Sequence, residues 1–280
     1  MKYRSIIILV LLAACLNTAA QTSSNLAADD SIAGKFFSET PNRGVQKNMA
    51  TAAKFFLGAP YAGQTLEIGD SEELVVNLRE LDCMTLVENC LAMSRTLNAE
   101  SPNFKTFCLE LQKIRYRNGI IKGYASRLHY STDWIFDNRE MGIVEDITGK
   151  IGGKLFRPKV GFMSANPDKY RRLTNNPDEV ERIAAFEKAI NARKNYRFIP
   201  KDSINVCESK IKSGDIIGFT TSLKGLDISH LAVAYRENGR LTFIHASSAA
   251  KKVIINPEPL ADYCRKIKTN TGIVVIRPLE

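Results

Sequence analysis

Apolar residues at and beyond the stretch Leu78–Arg95 recur at helical spacing. Leu86, Cys90, Met93 and Leu97 follow one another at intervals of four, three and four, with Val87 and Leu91 beside them. A helix is predicted there. Asp82, immediately ahead of it, has a carboxylate able to accept the free N–H groups of the first turn. A second helix is predicted over Asn103 to Tyr116, with Phe104, Phe107, Cys108, Leu111 and Ile114 on one side. Upstream, residues 31 to 57 have helical character in two pieces, broken at Pro41-Asn42-Arg43-Gly44, and a Gly/Pro loop, LGAPYAGQTLE, follows. From Thr148 to Pro200 the pattern loosens. Gly149, Gly152, Gly153 and Pro158 precede a solitary charged helix around Pro177 to Lys194, which reads as an insertion at about 148–200.

From Ile211 the periodicity changes to short strands: Asp215–Phe219, Leu231–Tyr235, Leu241–Ile244, Val253–Ile255 and Ile273–Ile276, separated by turn residues. Helices first and strands afterwards predict an α+β domain, N-terminal helices packed on an antiparallel sheet. The expected organisation is one domain over 31–280 that includes the insertion. A polar, small-residue leader without regular structure is expected over 21–30, preceded by a targeting segment over 1–20.

That segment carries Lys2 and Arg4 before an apolar run, Ile6 to Ala14, too short to span a bilayer. Two cleavage readings compete. Leu12-Ala13-Ala14-Cys15 resembles a lipoprotein signal, whereas Thr18-Ala19-Ala20 before Gln21 fits ordinary signal peptidase, which is preferred. Both imply export to a bacterial periplasm or cell envelope, with membrane attachment only if Cys15 is lipidated. The net charge of +9 falls by two with the loss of Lys2 and Arg4. The remaining excess is spread along the chain, with no basic stripe interleaved with aromatics, so a nucleic-acid partner is excluded. Of six cysteines, five lie beyond the targeting segment, at 83, 90, 108, 207 and 264. An odd number in an exported chain leaves at least one thiol free if the others pair, and the lack of a CxxC pair argues against structural zinc.

Candidate chemistry gathers at three places. Cys83 falls in the first turn of its predicted helix, where dipole and free N–H groups favour an anion, so nucleophile and buried filler both stand open. Two of the three histidines, His230 and His245, flank a predicted hairpin whose loop is Asn238-Gly239. With Glu237 paired to Arg240, His230 lies opposite Ser247 and His245 opposite Ala232. His230, His245 and Ser247 then share one sheet face, the histidines roughly 5–8 Å apart. A thiol and two imidazoles so placed make a Cys–His–polar triad, with a Cys/His/His metal site as the rival. The third place, GYASRLHYSTDWIFDN, concentrates Tyr124, Arg127, His129, Tyr130, Asp133 and Trp134. Flat rings beside charged forks suit a sugar or peptide, Arg127 in particular a peptide carboxylate. A folded aromatic lid over the core is the alternative, and a structural role is preferred for His129.

Leu-Asp-Cys at a helix start, Ser213-Gly214-Asp215 before an apolar strand, the His opening HLAVAY, and IHAS on the next strand resemble the NlpC-type cell-wall cysteine hydrolases. GAPYAG is similar to that family's Tyr-bearing loop. The resemblance covers residues 59 to about 95 and 211 to 277 and implies a papain-like core. More narrowly, TLE, DCMTLVE, SRLHYSTDW and GLDISH resemble the N-acetylmuramoyl-L-alanine amidase-like branch. It implies Cys83 as nucleophile, His230 as general base and His245 as third member, with Ser247, on the same sheet face, as the alternative third member. Tyr61 either packs at a turn or brings its phenol to the site as a donor to the oxyanion, and Asp227 joins the aromatic segment among the substrate-side residues. Met84 and Thr85 follow Cys83 where the broader family has Ser or Ala and then Gly, a departure that argues against carrying over the common endopeptidase specificity. The expectation is a metal- and cofactor-independent cysteine amidase acting on muropeptides. The alternatives are a γ-D-glutamyl-diaminopimelate endopeptidase and a non-catalytic cell-wall-binding protein.

Overall fold

A computed structural model describes residues 25–280. The expected targeting segment, Cys15 and the start of the leader lie outside the described residues. In chain order the elements are α1 (Leu26–Glu39), α2 (Val45–Phe55), α3 (Cys83–Leu97), α4 (Phe104–Arg115), α5 (Ser131–Glu140), β1 (Val144–Asp146), β2 (Lys154–Leu155), α6 (Phe162–Ala165), α7 (Pro177–Ala192), β3 (Arg197–Pro200), α8 (Ile204–Cys207), β4 (Ile216–Thr221), β5 (Ile228–Glu237), β6 (Arg240–Ser247), β7 (Lys252–Ile255), α9 (Leu260–Lys266) and β8 (Asn270–Pro278). The architecture is mixed: helices packed on a single antiparallel sheet of order β2-β3-β8-β4-β5-β6-β7, with β1 also on β8.

The leader is shorter than its composition implies. Helix α1 begins at Leu26, where Asn25 accepts from the Ala28 amide, and Asp29 is fully buried. Its carboxylate accepts the Leu78 amide at 2.9 Å and pairs with Arg79, fastening α1 to the segment that enters α3. The polar composition of residues 26–30 thus serves a helix start and a buried anchor instead of disorder.

Alternation along the strands divides the core in two. Ile216, Leu231, Val233, Ile244, Ala246, Val274 and Ile276 point to one face and pack against α1 to α4. Ile217, Phe219, Ala232, Ala234, Leu241, Phe243, Ile273 and Val275 point to the other and meet α8 and α9. Helix α3 is buried along nearly its whole length between the sheet and its helical neighbours. Strands β1 to β3 have no counterpart in the sequence pattern, since two to four residues show no alternation.

The insertion is not solitary. Met163 of α6 and Ile183 and Ile190 of α7 form a third apolar cluster with Tyr124, Ala125 and Tyr130 of the aromatic segment. At the other end of the sheet, Ser213-Gly214-Asp215 is an anchor. Asp215, fully buried, accepts from the Lys212 amide, from Gln46 of α2, and from Arg277 of β8 through two bonds of 2.9 and 2.8 Å. Gly214 has φ +91°, and a Cβ there would lie 1.9 Å from the Gln46 carbonyl oxygen. Gly214→Ala is therefore expected to destabilise the fold, by about 1–3 kcal/mol from backbone strain alone and more from the clash. Chemical denaturation measures it, and an unchanged midpoint would remove this anchor.

Candidate active site

Asp82 caps α3 as its sequence position predicts. Its carboxylate accepts the Thr85 amide at 2.8 Å, and the Thr85 hydroxyl accepts the Asp82 amide at 2.9 Å, a reciprocal capping box. Cys83 is thereby held in the first turn. Its thiol lies against the backbone N–H of Leu231, the residue after His230, and against the amides of Cys83 and Met84. The Tyr61 loop closes beside it: Tyr61 bridges Leu81, and its phenol is near enough for Cys83 and Asp82 to raise its pKa further, burial being the larger cause.

The histidines arrive through the hairpin. Asn238 and Gly239 form its loop with φ of 51° and 83°, and pairing runs from Glu237↔Arg240 to Val233↔Ile244, the expected register. His230 Nε2 sits 2.7 Å from His245 Nδ1, their rings nearly perpendicular at 84°. One proton is shared across that contact. With Nε2 of His230 so engaged, Nδ1 is the ring nitrogen left to exchange a proton with a neighbour.

The electrostatics differ from the expectation of an easily ionised thiol. Burial, reinforced by the Asp82 carboxylate, pushes Cys83 up to about 12 despite the three amides. Burial, then the neighbouring imidazole, holds His230 down to about 3, and burial holds His245 to about 4. The resting site is a neutral thiol beside two neutral imidazoles. The capping carboxylate that fixes the helix start also opposes the thiolate, adding to the larger effect of burial.

The aromatic segment is packed into the fold, its charges paired internally. Trp134 is fully buried in the core under the helices, and Tyr124 and Tyr130 are buried as well. The Tyr130 hydroxyl donates to Glu187 at 2.7 Å and accepts the Met163 amide at 3.0 Å. Asp133 pairs with Arg117 at 2.5 Å and Arg193 at 2.6 Å. Arg127, expected to be a free fork, donates to Glu67 at 2.9 Å and lies 3.1 Å from Glu72. His129 donates from Nε2 to the Tyr124 carbonyl at 2.9 Å, and burial and Arg127 push its pKa down to about 3, the structural role preferred for it. Asp227 accepts from the Thr132 amide and hydroxyl and the Ile228 amide, capping α5 from outside. The sequence shows a charged fork without the partner that occupies it, so these internal pairings have no local signal. Ser247 accepts the Ala250 amide at 3.1 Å and bonds neither histidine.

Tyr263 of α9 adjoins the histidine pair. Its ring centroid lies 6.0 Å from that of His245, and the Cys83 charge raises its pKa after burial does. No motif marks it; LADYCRK reads only as a short amphipathic helix. Among the described residues no three His, Cys, Asp or Glu side chains converge as a metal site would require.

A family model described as N-acetylmuramoyl-L-alanine amidase-like matches residues 51–273, which span the helix of Cys83, the hairpin and both histidines. The chain belongs to this family. The amidase-like chain is similar to a crystal structure of an N-acetylmuramoyl-L-alanine amidase from Bacteroides uniformis, at 37% identity and a TM-score of 0.81 over 84% of this chain and 99% of that one. A structure from Bacteroides fragilis, provisionally named a xylanase, matches at 38% identity and 0.78 over 81% of this chain and 99% of the other. A Legionella pneumophila protein at 23% identity, covering 92% of this chain and 96% of that one, shares the fold with a TM-score of 0.68. No curated protein matches the chain. Family and neighbours make this chain an enzyme, an amidase-like hydrolase.

With both acid partners in place, Arg127→Met is expected to cost stability instead of substrate affinity. Removing one member of a buried ionic cluster costs about 3–5 kcal/mol. Denaturant unfolding measures this; full stability with a raised KM would return Arg127 to the substrate.

Proposed function

We propose that the chain is an exported cysteine amidase that hydrolyses the amide between N-acetylmuramic acid and L-alanine in peptidoglycan fragments. The observation that carries this is the placement of Cys83, at a capped helix start and against the Leu231 amide, one residue from a histidine bonded to a second histidine. Export rests on Lys2, Arg4 and the apolar run that follows them. The core belongs to the papain-like kind in this reading, with a helix-borne thiol and sheet-borne imidazoles.

In this mechanism the sulfur attacks the lactyl carbonyl carbon while its proton passes to Nδ1 of His230. Transfer accompanies attack, because a thiol raised to about 12 and imidazoles held near 3 and 4 store no ion pair beforehand. The carbonyl oxygen becomes an oxyanion beside the Cys83 amide, with the Tyr61 hydroxyl as a second donor. The C–N bond then breaks, and the leaving L-alanyl nitrogen takes the proton from His230. Water, deprotonated by the same ring, opens the thioester, returning the thiol and releasing the muramoyl carboxylate. His245 orients His230 and shares its charge through the 2.7 Å contact. A glycosidase reading, raised by the Bacteroides fragilis neighbour, calls for two carboxylates flanking a cleft, and a thiol with two imidazoles does not fit it.

Cys83→Ser is expected to abolish turnover with the fold intact, since a hydroxyl is near the thiol in shape but far harder to activate. His230→Ala should slow the reaction by about 10²–10⁴-fold, more than His245→Ala does. Incubating an N-acetylmuramoyl tripeptide and weighing the products tests the bond. Free sugar and a peptide beginning with L-Ala support the amidase, whereas muramoyl dipeptide and free diaminopimelate indicate the endopeptidase. EDTA should leave the rate unchanged; zinc-reversible loss would favour a metal enzyme.

The pH profile carries a sign. Only neutral His230 accepts a proton, so activity falls as pH drops through its pKa. Burial and His245 hold that pKa below the ordinary 6.5, so the acid limb of kcat/KM should lie well below pH 6.5, toward about 3. An acid limb at 6.5 would show a solvated, unpaired imidazole to be the base.

A further inference from the structure

Nothing polar meets the outer nitrogen of His245. Its Nε2 is buried without a hydrogen-bond partner among the described residues, and the whole side chain is nearly sealed from solvent at 4% exposure. A triad member usually owes its orientation to a further polar group. Here the surroundings are rings. Phe243 lies edge to face with His245 at 4.9 Å between centroids, and Tyr263 does so at 6.0 Å and 71°. Phe219 stacks beside His230 at 5.9 Å and 27°. The three outer rings also hold one another: Phe219 to Phe243 at 5.4 Å, Phe219 to Tyr263 at 5.2 Å, and Phe243 to Tyr263 at 4.9 Å. Two strands supply the phenylalanines, and α9 supplies the last wall.

We propose that Tyr263 is a positioning residue whose ring closes the aromatic box that fixes His245, and through it His230, and shuts water out of the pair. The proposal rests on the reading of His230 as proton acceptor, but the box belongs to the pair and is measurable without turnover. Edge-to-face contacts restrict ring rotation, so packing performs the orienting task that a carboxylate performs elsewhere. An apolar wall also disfavours the imidazolium. The ionisable groups around the pair are few. Helix α3 presents Cys83 and Asp82, the loop before it presents Tyr61, and Glu258 and Cys264 lie near Tyr263. Glu258 is paired with Lys266 at 2.7 Å. Asp82 is occupied by its helix cap. Neither carboxylate bonds an imidazole, so the seal governs the pair's charge.

The test uses the mature full chain with Tyr263→Phe, Tyr263→Leu and Tyr263→Ala. Imidazole nuclear magnetic resonance is followed against pH, since the chain has only three histidines and His129→Gln assigns the third. The expected result for the alanine variant is an upward move of about one unit or more in the titration of the pair, toward 6.5. Its acid limb of kcat/KM should move up equally, because water then stabilises the protonated, inactive base, and kcat should fall by about 10-fold or more through lost orientation. The phenylalanine variant keeps the ring, so its titrations should stay within a few tenths of a unit and its kcat within about three-fold. The leucine variant fills the volume without a ring and serves if the alanine variant does not fold. Unmoved titrations in a folded ringless variant would overturn the proposal. So would a phenylalanine variant as slow as the ringless ones, which would assign the effect to the hydroxyl. Titrations that move while the acid limb of kcat/KM stays in place would keep the box and overturn His230 as the base.

Discussion

The site depends on the register of one hairpin. Two imidazoles fifteen residues apart come within hydrogen-bonding distance because Asn238 and Gly239 adopt the left-handed turn that sets Glu237 opposite Arg240. A slip of one residue would turn His245 to the opposite face while His230 stayed in place. The register is protected by burial on both faces, since β5 and β6 contribute Val233 and Ile244 to one core and Ala234 and Phe243 to the other. The sheet that builds the cores therefore also delivers the pair, and a slip would cost packing as well as chemistry.

The same burial sets the charge state. Cys83 sits where a helix end favours an anion, yet loss of solvent and the Asp82 carboxylate weigh more, and both histidines are held uncharged. In the proposed mechanism the thiol stays neutral until a substrate carbonyl is present to receive the developing charge. Tyr61 and Tyr263 approach the thiol from a loop and from a C-terminal helix, so the surroundings of one sulfur draw on segments two hundred residues apart.

The insertion and the aromatic segment are scaffold for this arrangement. Arg127 holds Glu67 and Glu72 in the stretch between Tyr61 and Asp82, with the Tyr116 hydroxyl bonded to Glu72 at 2.8 Å. Arg171 and Arg172 reach from the insertion to backbone carbonyls of Gly69, Asp70 and Ser71 in the same stretch. Ion pairs of buried arginine with carboxylate are geometrically exacting. They tie down the segment that runs between Tyr61 and the start of α3.

Local regularities were legible in the sequence by itself. The period of α3 and its Asp82 cap, the break at Pro41–Gly44, the late strands and the Asn-Gly turn all rest on interactions within a few residues, and they stand where the pattern put them. The placement of Cys83 at a helix start and of His230 beside His245 was legible for the same reason, since a helix start and a tight turn assign faces without knowledge of the rest. What the tertiary structure decided was occupancy and solvation. Asp29 becomes a buried anchor and Trp134 core. Arg127, Asp133 and Asp227 find partners 55 to 95 residues away that satisfy them inside the fold. The thiol rises instead of falling, and Tyr263 enters from a helix with no motif of its own. Each of these follows from long-range burial, which a chain's local pattern does not encode because the desolvating neighbours are contributed by distant segments.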